Sequence, residues 1–107
     1  MENVGLLIVH GMFLLFIVTH SAYAQDVSKY RVNSFISDYH RYEIGDVAPE
    51  IYFSKEYYIN QWKIRHLTAP LDGTHWSYMY GTYVLLNEHS HRIIMAYNSD
   101  IFYKSLP

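Results

Sequence analysis

From Val4 to Val18 the chain runs as an almost unbroken apolar stretch, VGLLIVHGMFLLFIV, broken in its middle by His10-Gly11. Polar residues, Thr19 and His20, follow it. The stretch is fifteen residues long, short of the roughly 20 that a membrane-spanning helix needs. Ala22-Tyr23-Ala24 then sets small residues either side of one variable position, the pattern a signal peptidase cleaves. The pattern predicts a cleavable export signal over residues 1–24, cut after Ala24, with Gln25-Asp26 opening the mature chain. A retained membrane anchor and a buried core helix are the alternatives, and the opening Met1-Glu2-Asn3 lacks the basic residue a signal normally carries.

Beyond the leader the periodicity changes. Residues 25–41 support two readings: Tyr30 and Val32 suit a short extended piece, whereas Phe35, Ile36, Tyr39 and Tyr42 suit a helical face. Gly45-Asp46 and Pro49 mark a turn, and Pro49 steers Ala48 away from helix. Tyr57-Tyr58-Ile59 has strand propensity. Asn60 is placed to cap one or two helical turns over Gln61–Leu67, although Trp62 and Ile64 alternate with polar neighbours as a strand would.

The last third is more regular. Pro70 and Gly73 interrupt the chain, and strands are expected over Thr74–Met79, Tyr83–Asn87 and Arg92–Tyr97. Turns at Tyr80-Gly81-Thr82 and Glu88–His91 join them into an antiparallel meander. The second and third strands are apolar on both faces: Tyr83 and Leu85 against Val84 and Leu86, then Ile93 and Met95 against Ile94 and Ala96. A sheet with one wet face would alternate, so both faces need cover. The helix-like segment can supply one cover; the N-terminal segment or a second subunit, as in a homo-oligomer, must supply the other. The expected fold is α+β: a small single domain with a three-stranded antiparallel meander and one or two short helices, preceded by the signal-peptide helix.

Composition sharpens this picture. With the leader removed, 83 of the 107 residues remain, enough for a thin core. No cysteine is present, which removes disulfides, thiolate nucleophiles and thiolate metal sites. Eleven of the 12 tyrosines and both tryptophans lie after residue 24, so aromatic packing must carry the stability. The net charge of -2 is evenly spread, and no basic run offers a nucleic-acid footprint.

From about Tyr42 to Tyr103 the sequence resembles the RcnB family of small periplasmic proteins. The resemblance rests on ordered landmarks: Ile44-Gly45-Asp46 with Pro49-Glu50 and Tyr52, then Tyr57-Tyr58, Trp62 and Leu67. Pro70, Gly73 and Trp76 follow, then Gly81 with Tyr83-Val84-Leu85, and Ile93-Ile94 with Ile101-Phe102-Tyr103. It divides the chain into the signal at 1–24, an N-terminal segment at 25–41 and an RcnB-like domain at 42–107. Gly45, Asp46, Pro49, Trp62, Gly73, Trp76, Gly81 and Tyr83 are structural landmarks in this scheme. The resemblance implies a periplasmic accessory to nickel and cobalt efflux beside an inner-membrane exporter, with no catalysis and no stable membrane anchor once the signal is cut. The rival reading is a general envelope interaction module with no metal role. The family turn after the second strand usually contains a glycine; here it is Glu88-His89-Ser90-His91.

Candidate chemistry is sparse. Imidazoles suit nickel and cobalt, and the mature chain holds His40, His66, His75, His89 and His91. His89 and His91, beside Glu88 in a turn, with His75 on the neighbouring strand, are the candidates for weak metal contact. An ordinary solvated turn and a plain strand histidine are the alternatives. No G-x-S-x-G elbow, phosphate loop or H-E-x-x-H pair occurs, so no catalytic residue is assigned. Tyr52, Tyr57, Tyr58, Tyr78, Tyr80 and Tyr83 are read either as core or as an exposed platform for a partner, Tyr80 being the most exposed because it sits in a turn.

Overall fold

The computed structural model describes residues 27–103; the signal segment lies outside them. The three strands of the meander form close to their expected bounds. Here β4 (Thr74–Tyr78), β5 (Thr82–Asn87) and β6 (Ile93–Asn98) pair antiparallel in order. The sheet is wider than the expected three strands, because the two-residue β1 (Arg31–Val32) adds to the outer edge of β6. That fulfils the extended reading at Val32, while Tyr30 lies in the turn just before the strand. Residues 45–48 line the other end of the same edge: Gly45 and Ala48 donate to the carbonyls of Ile93 and His91, both at 2.8 Å.

Between these two stretches a separate hairpin loops out, β2 (Ser34–Ser37) with β3 (His40–Glu43). It replaces the helical face drawn through Phe35, Ile36, Tyr39 and Tyr42. Its two-residue turn, Asp38-Tyr39, takes φ of 52° and 63°, the left-handed pair that a tight hairpin demands. Without a glycine there, the hairpin had no short-range signal. Tyr80-Gly81 makes the same turn between β4 and β5 (φ 40° and 97°), closed by the Met79 N–H donating to Thr82 O at 2.8 Å.

The helical content differs from expectation. Beyond Val27-Ser28, the described helical segments are single 3-10 turns: η1 (Glu50–Phe53), η2 (Lys55–Tyr57), η3 (Lys63–Arg65) and η4 (Ser99–Tyr103). The strand propensity of Tyr57–Ile59 is overruled, apart from a bridge between Ile59 and Trp76. Asn60 caps nothing; the turn at η3 starts from Trp62 and ends at a left-handed His66.

Both faces of the sheet are dry, as the strand pattern requires. One core joins Ala48, Tyr52, Met79, Val84, Leu86, Ile93 and Ala96, with Val32, Phe35, Tyr42 and Phe53 packed on it. The other joins Leu67, Trp76, Tyr83, Leu85, Tyr97 and Ile101, with Ile59, Trp62, Ile94, Met95 and Phe102 around it. The N-terminal segment, together with η1, thus covers the first face, and the segment from Ile59 to Leu67 helps cover the second. The face assignment in β6 needs correcting. Leu85 pairs with Met95 but Leu86 pairs with Ile93, a bulge that leaves Ile94 extra. The inserted residue puts Ile93 on the Ala96 side and sets Ile94 and Met95 together on the opposite side.

The strap from Glu50 to Thr68 is irregular, so its carbonyls lack a ladder and need partners. Three successive side chains of β4 supply them. The His75 Nε2–H donates to Tyr52 O, the Trp76 Nε1–H to Thr68 O and the Ser77 hydroxyl to Tyr57 O, each at 2.8 Å. Pegs on both faces of one strand thereby pin the strap to the sheet. Two substitutions test this arrangement by urea unfolding. Ser77→Ala strands the Tyr57 carbonyl and is expected to cost about 1–3 kcal/mol. Trp76→Ala loses the peg and empties the second core, at about 3–5 kcal/mol. A midpoint unchanged in Ser77→Ala would show that the peg carries no stability.

Candidate functional site

Where β4 meets the turn after β5, four rings and one carboxylate gather. His75 comes from the middle of β4 and is 5% exposed. The Tyr58 ring lies flat against it, with centroids 3.6 Å apart and planes 8° apart. Phe53 meets His75 edge-on at 5.5 Å and is stacked by His91 at 3.8 Å. Phe53 therefore stands between the two imidazoles. Tyr52 contributes its backbone carbonyl, which holds the His75 Nε2 proton.

That hydrogen bond decides the tautomer. A carbonyl can only accept, so Nε2 carries the proton. Nδ1 is then the open nitrogen; it is buried and has no hydrogen-bond partner. Glu88 Oε1 lies 3.5 Å from it. A lone pair facing a carboxylate is repulsive, so the contact becomes attractive only when a positive centre sits on Nδ1. A proton supplies one and makes an ion pair; a divalent metal ion supplies another. A ring nitrogen freed for ligation by a backbone hydrogen bond at its partner nitrogen is the usual orientation of a metal-binding histidine.

The turn itself explains the placement of the other candidates. Asn87 Oδ1 accepts from the backbone N–H of His89 at 2.8 Å and of Ser90 at 3.0 Å. This local bond builds the turn that glycine usually serves, and His91 closes it in the left-handed region at φ 61°. His89 is left exposed. Glu88 turns toward His75 instead of joining His89 and His91, whose ring is committed to Phe53. Among the described residues no three His, Asp or Glu side chains stand close enough to hold an ion. His40 is exposed on β3 beside Tyr42, and the His66 Nδ1–H donates to Ile101 O at 2.8 Å. The His75–Glu88 pairing across β4 and the turn was half legible, since His75 was placed near the turn's strands. Tyr58 and Phe53 were missed because nothing in the spacing brings residues 53–58 against residue 75.

The landmark residues act structurally. Gly45, Gly73 and Gly81 take φ between 75° and 97°, which an L side chain resists. Asp46 Oδ2 accepts from the Glu43 N–H at 2.8 Å, Pro49 precedes η1, and Trp62, Trp76 and Tyr83 belong to the second core. The expected tyrosine platform divides. Tyr52 and Tyr83 are buried, whereas Tyr57, Tyr78 and Tyr80 are exposed, Tyr80 most of all at 72%.

Three phenols are pushed above their ordinary range. Burial is the main cause for all three. The nearby Tyr80 adds to it at Tyr52, and the Glu88 charge adds to it at Tyr58. Arg65 works against burial at Tyr83 through its charge and a hydrogen bond. A raised phenol favours the neutral form in the fold. Its stability contribution is full below the unfolded value of about 10 and is lost as pH climbs through the folded value. The urea midpoint is therefore expected to fall above about pH 10, and Tyr58→Phe is expected to flatten that fall. A midpoint level up to about pH 11.5 in the parent would contradict the burial of these hydroxyls.

The chain is similar to known proteins in sequence and in fold. A family model described as RcnB, nickel/cobalt transporter regulator, matches residues 45–95. The nickel/cobalt homeostasis protein RcnB of Escherichia coli strain K12 is 49% identical over 77 residues, which cover 72% of this chain and 69% of the relative. The protein of the same name from Escherichia coli O6:H1 strain CFT073 matches equally. A solved structure 39% identical in sequence superposes with a TM-score of 0.69, covering 74% of this chain and 95% of that one.

Proposed function

Since the chain belongs to the RcnB family, we propose that it is an exported accessory of nickel and cobalt homeostasis, acting in the periplasm beside an inner-membrane metal exporter. The observation that carries this reading is the 49% identity with a nickel/cobalt homeostasis protein over most of both chains. The apolar leader ending in Ala22-Tyr23-Ala24 supports export. The role is one of contact, not catalysis: the landmarks shape turns and core, and the relatives are named for homeostasis and regulation.

Nickel or cobalt is cargo in this reading. The group best suited to touch it is His75 Nδ1 with the Glu88 carboxylate, because that nitrogen is buried, unpartnered and aimed at an anion. Two protein ligands leave the remaining positions to water, so the contact is weak and exchangeable, as a passing ion requires. His89 and His91 at the adjoining turn are the other candidates. The rival, an envelope interaction module without a metal role, draws support from the exposed Tyr57, Tyr78 and Tyr80.

Three measurements test the proposal. Mass spectrometry of the exported protein is expected to find Gln25 at its N-terminus; Met1 retained on cytosolic protein would remove the compartment. A deletion strain is expected to accumulate nickel differently under metal stress, and unchanged accumulation and tolerance would favour the rival. In nickel calorimetry, Glu88→Gln is expected to weaken binding about tenfold or more. A loss confined to His89→Ala/His91→Ala would move the contact to the turn, and equal weak heats in all variants would leave protein contact alone.

A further inference from the structure

On the strap side of β4 lies an open groove of about 340 Å³ lined by Tyr52, Tyr57, Tyr58, Tyr78 and Tyr80, together with Ile59. Glu56 also lines it and brings its only formal charge. Tyr78 is shared with a second pocket of about 170 Å³, whose other walls are Tyr83, Ser99, Phe102 and Tyr103. Tyr78 thus forms a ridge between two aromatic slots. The ridge is braced by Tyr83 at 5.1 Å and the first slot by the edge-on pair Tyr52–Tyr57 at 5.7 Å. The first slot shares Tyr52 and Tyr58 with the His75 corner, whereas His75 and Glu88 line neither slot.

The geometry points to a docking groove for an extended, proline-rich peptide segment that carries a basic residue. Aromatic ridges with slots between them receive the successive faces of a polyproline II helix, which is already ordered and loses little entropy on binding. Tyrosine hydroxyls at the rim can donate to its carbonyls, which have no internal partners. Charge selects the direction. Glu56 and the faces of the tyrosines favour a cation in the first slot. The Arg65 guanidinium lies 5.7 Å over the Phe102 ring that lines the second slot, so a basic side chain is disfavoured at that end. A neutral sugar can stack on the same rings and give its hydroxyls to Glu56, but it gains nothing from the negative charge that favours a basic side chain.

The test is an amide-shift titration of the whole mature protein with three ligands: a proline-rich nonapeptide bearing one arginine, the same peptide with glutamate replacing that arginine, and a chitin-derived oligosaccharide. The arginine peptide is expected to move the amides of residues 56–59 and 78–82. Tyr80→Ala, at an exposed turn position that leaves the cores untouched, is expected to weaken it about tenfold. Tyr57→Leu serves as a second, independent exposed variant with the same expectation. Glu56→Gln is expected to weaken it about threefold and to erase the preference over the glutamate peptide. Equal binding of both peptides, shifts lying elsewhere, no shifts at millimolar peptide, or binding of the oligosaccharide alone would each overturn the proposal. None of these outcomes depends on metal, so failure here is separable from failure of the homeostasis reading.

Discussion

The three hydrogen bonds from His75, Trp76 and Ser77 to the carbonyls of Tyr52, Thr68 and Tyr57 set the terms for the rest of the molecule. A sheet with two dry faces needs two covers, and a chain this short cannot lay a long helix over each. It uses irregular strap instead. Irregular backbone is costly to bury unless its polar groups are met. One strand meets them on both faces at once, because alternate side chains of β4 point to opposite sides. Each peg also adds packing, most of all Trp76, which is fully buried.

The same constraint creates the site. His75 is held by its Nε2 so that the strap can be pinned, and this leaves Nδ1 turned toward Glu88. Tyr58 and Phe53 arrive at His75 because the pinned strap carries them there. The corner is therefore a by-product of structural anchoring that has acquired an electrostatic demand: a buried nitrogen facing a carboxylate is satisfied only by something positive. Tyr57, whose own carbonyl is one of the anchored groups, keeps its ring exposed and lines the tyrosine groove. Corner and groove thus share a scaffold, the one built on a histidine–carboxylate pair and the other on tyrosine rings.

Much of the fold was legible locally. β4, β5 and β6 were readable because apolar and β-branched runs were punctuated by Tyr80-Gly81 and Glu88–His91, and the two-faced burial followed from the runs themselves. The hairpin β2–β3 was hidden because Asp38-Tyr39 lacks the glycine that normally announces such a turn. The bulge at Ile94 was hidden because an inserted residue leaves no trace in a sequence of consecutive apolar positions, yet it exchanges the faces of Ile93 and Ile94. At the site, His75, His89 and His91 were identifiable as residues but not as a set.

The order of side chains along the chain determined the three meander strands and the need to cover both sides of their sheet, because each depends on neighbours within a few residues. Tertiary structure alone decided that β1 joins the far edge of β6, that the covers are strap and 3-10 turns, and that Glu88 chooses His75 over the histidines beside it. Those outcomes turn on which distant carbonyl an N–H or hydroxyl can reach, and that distance exists only after the strap has folded back on the sheet.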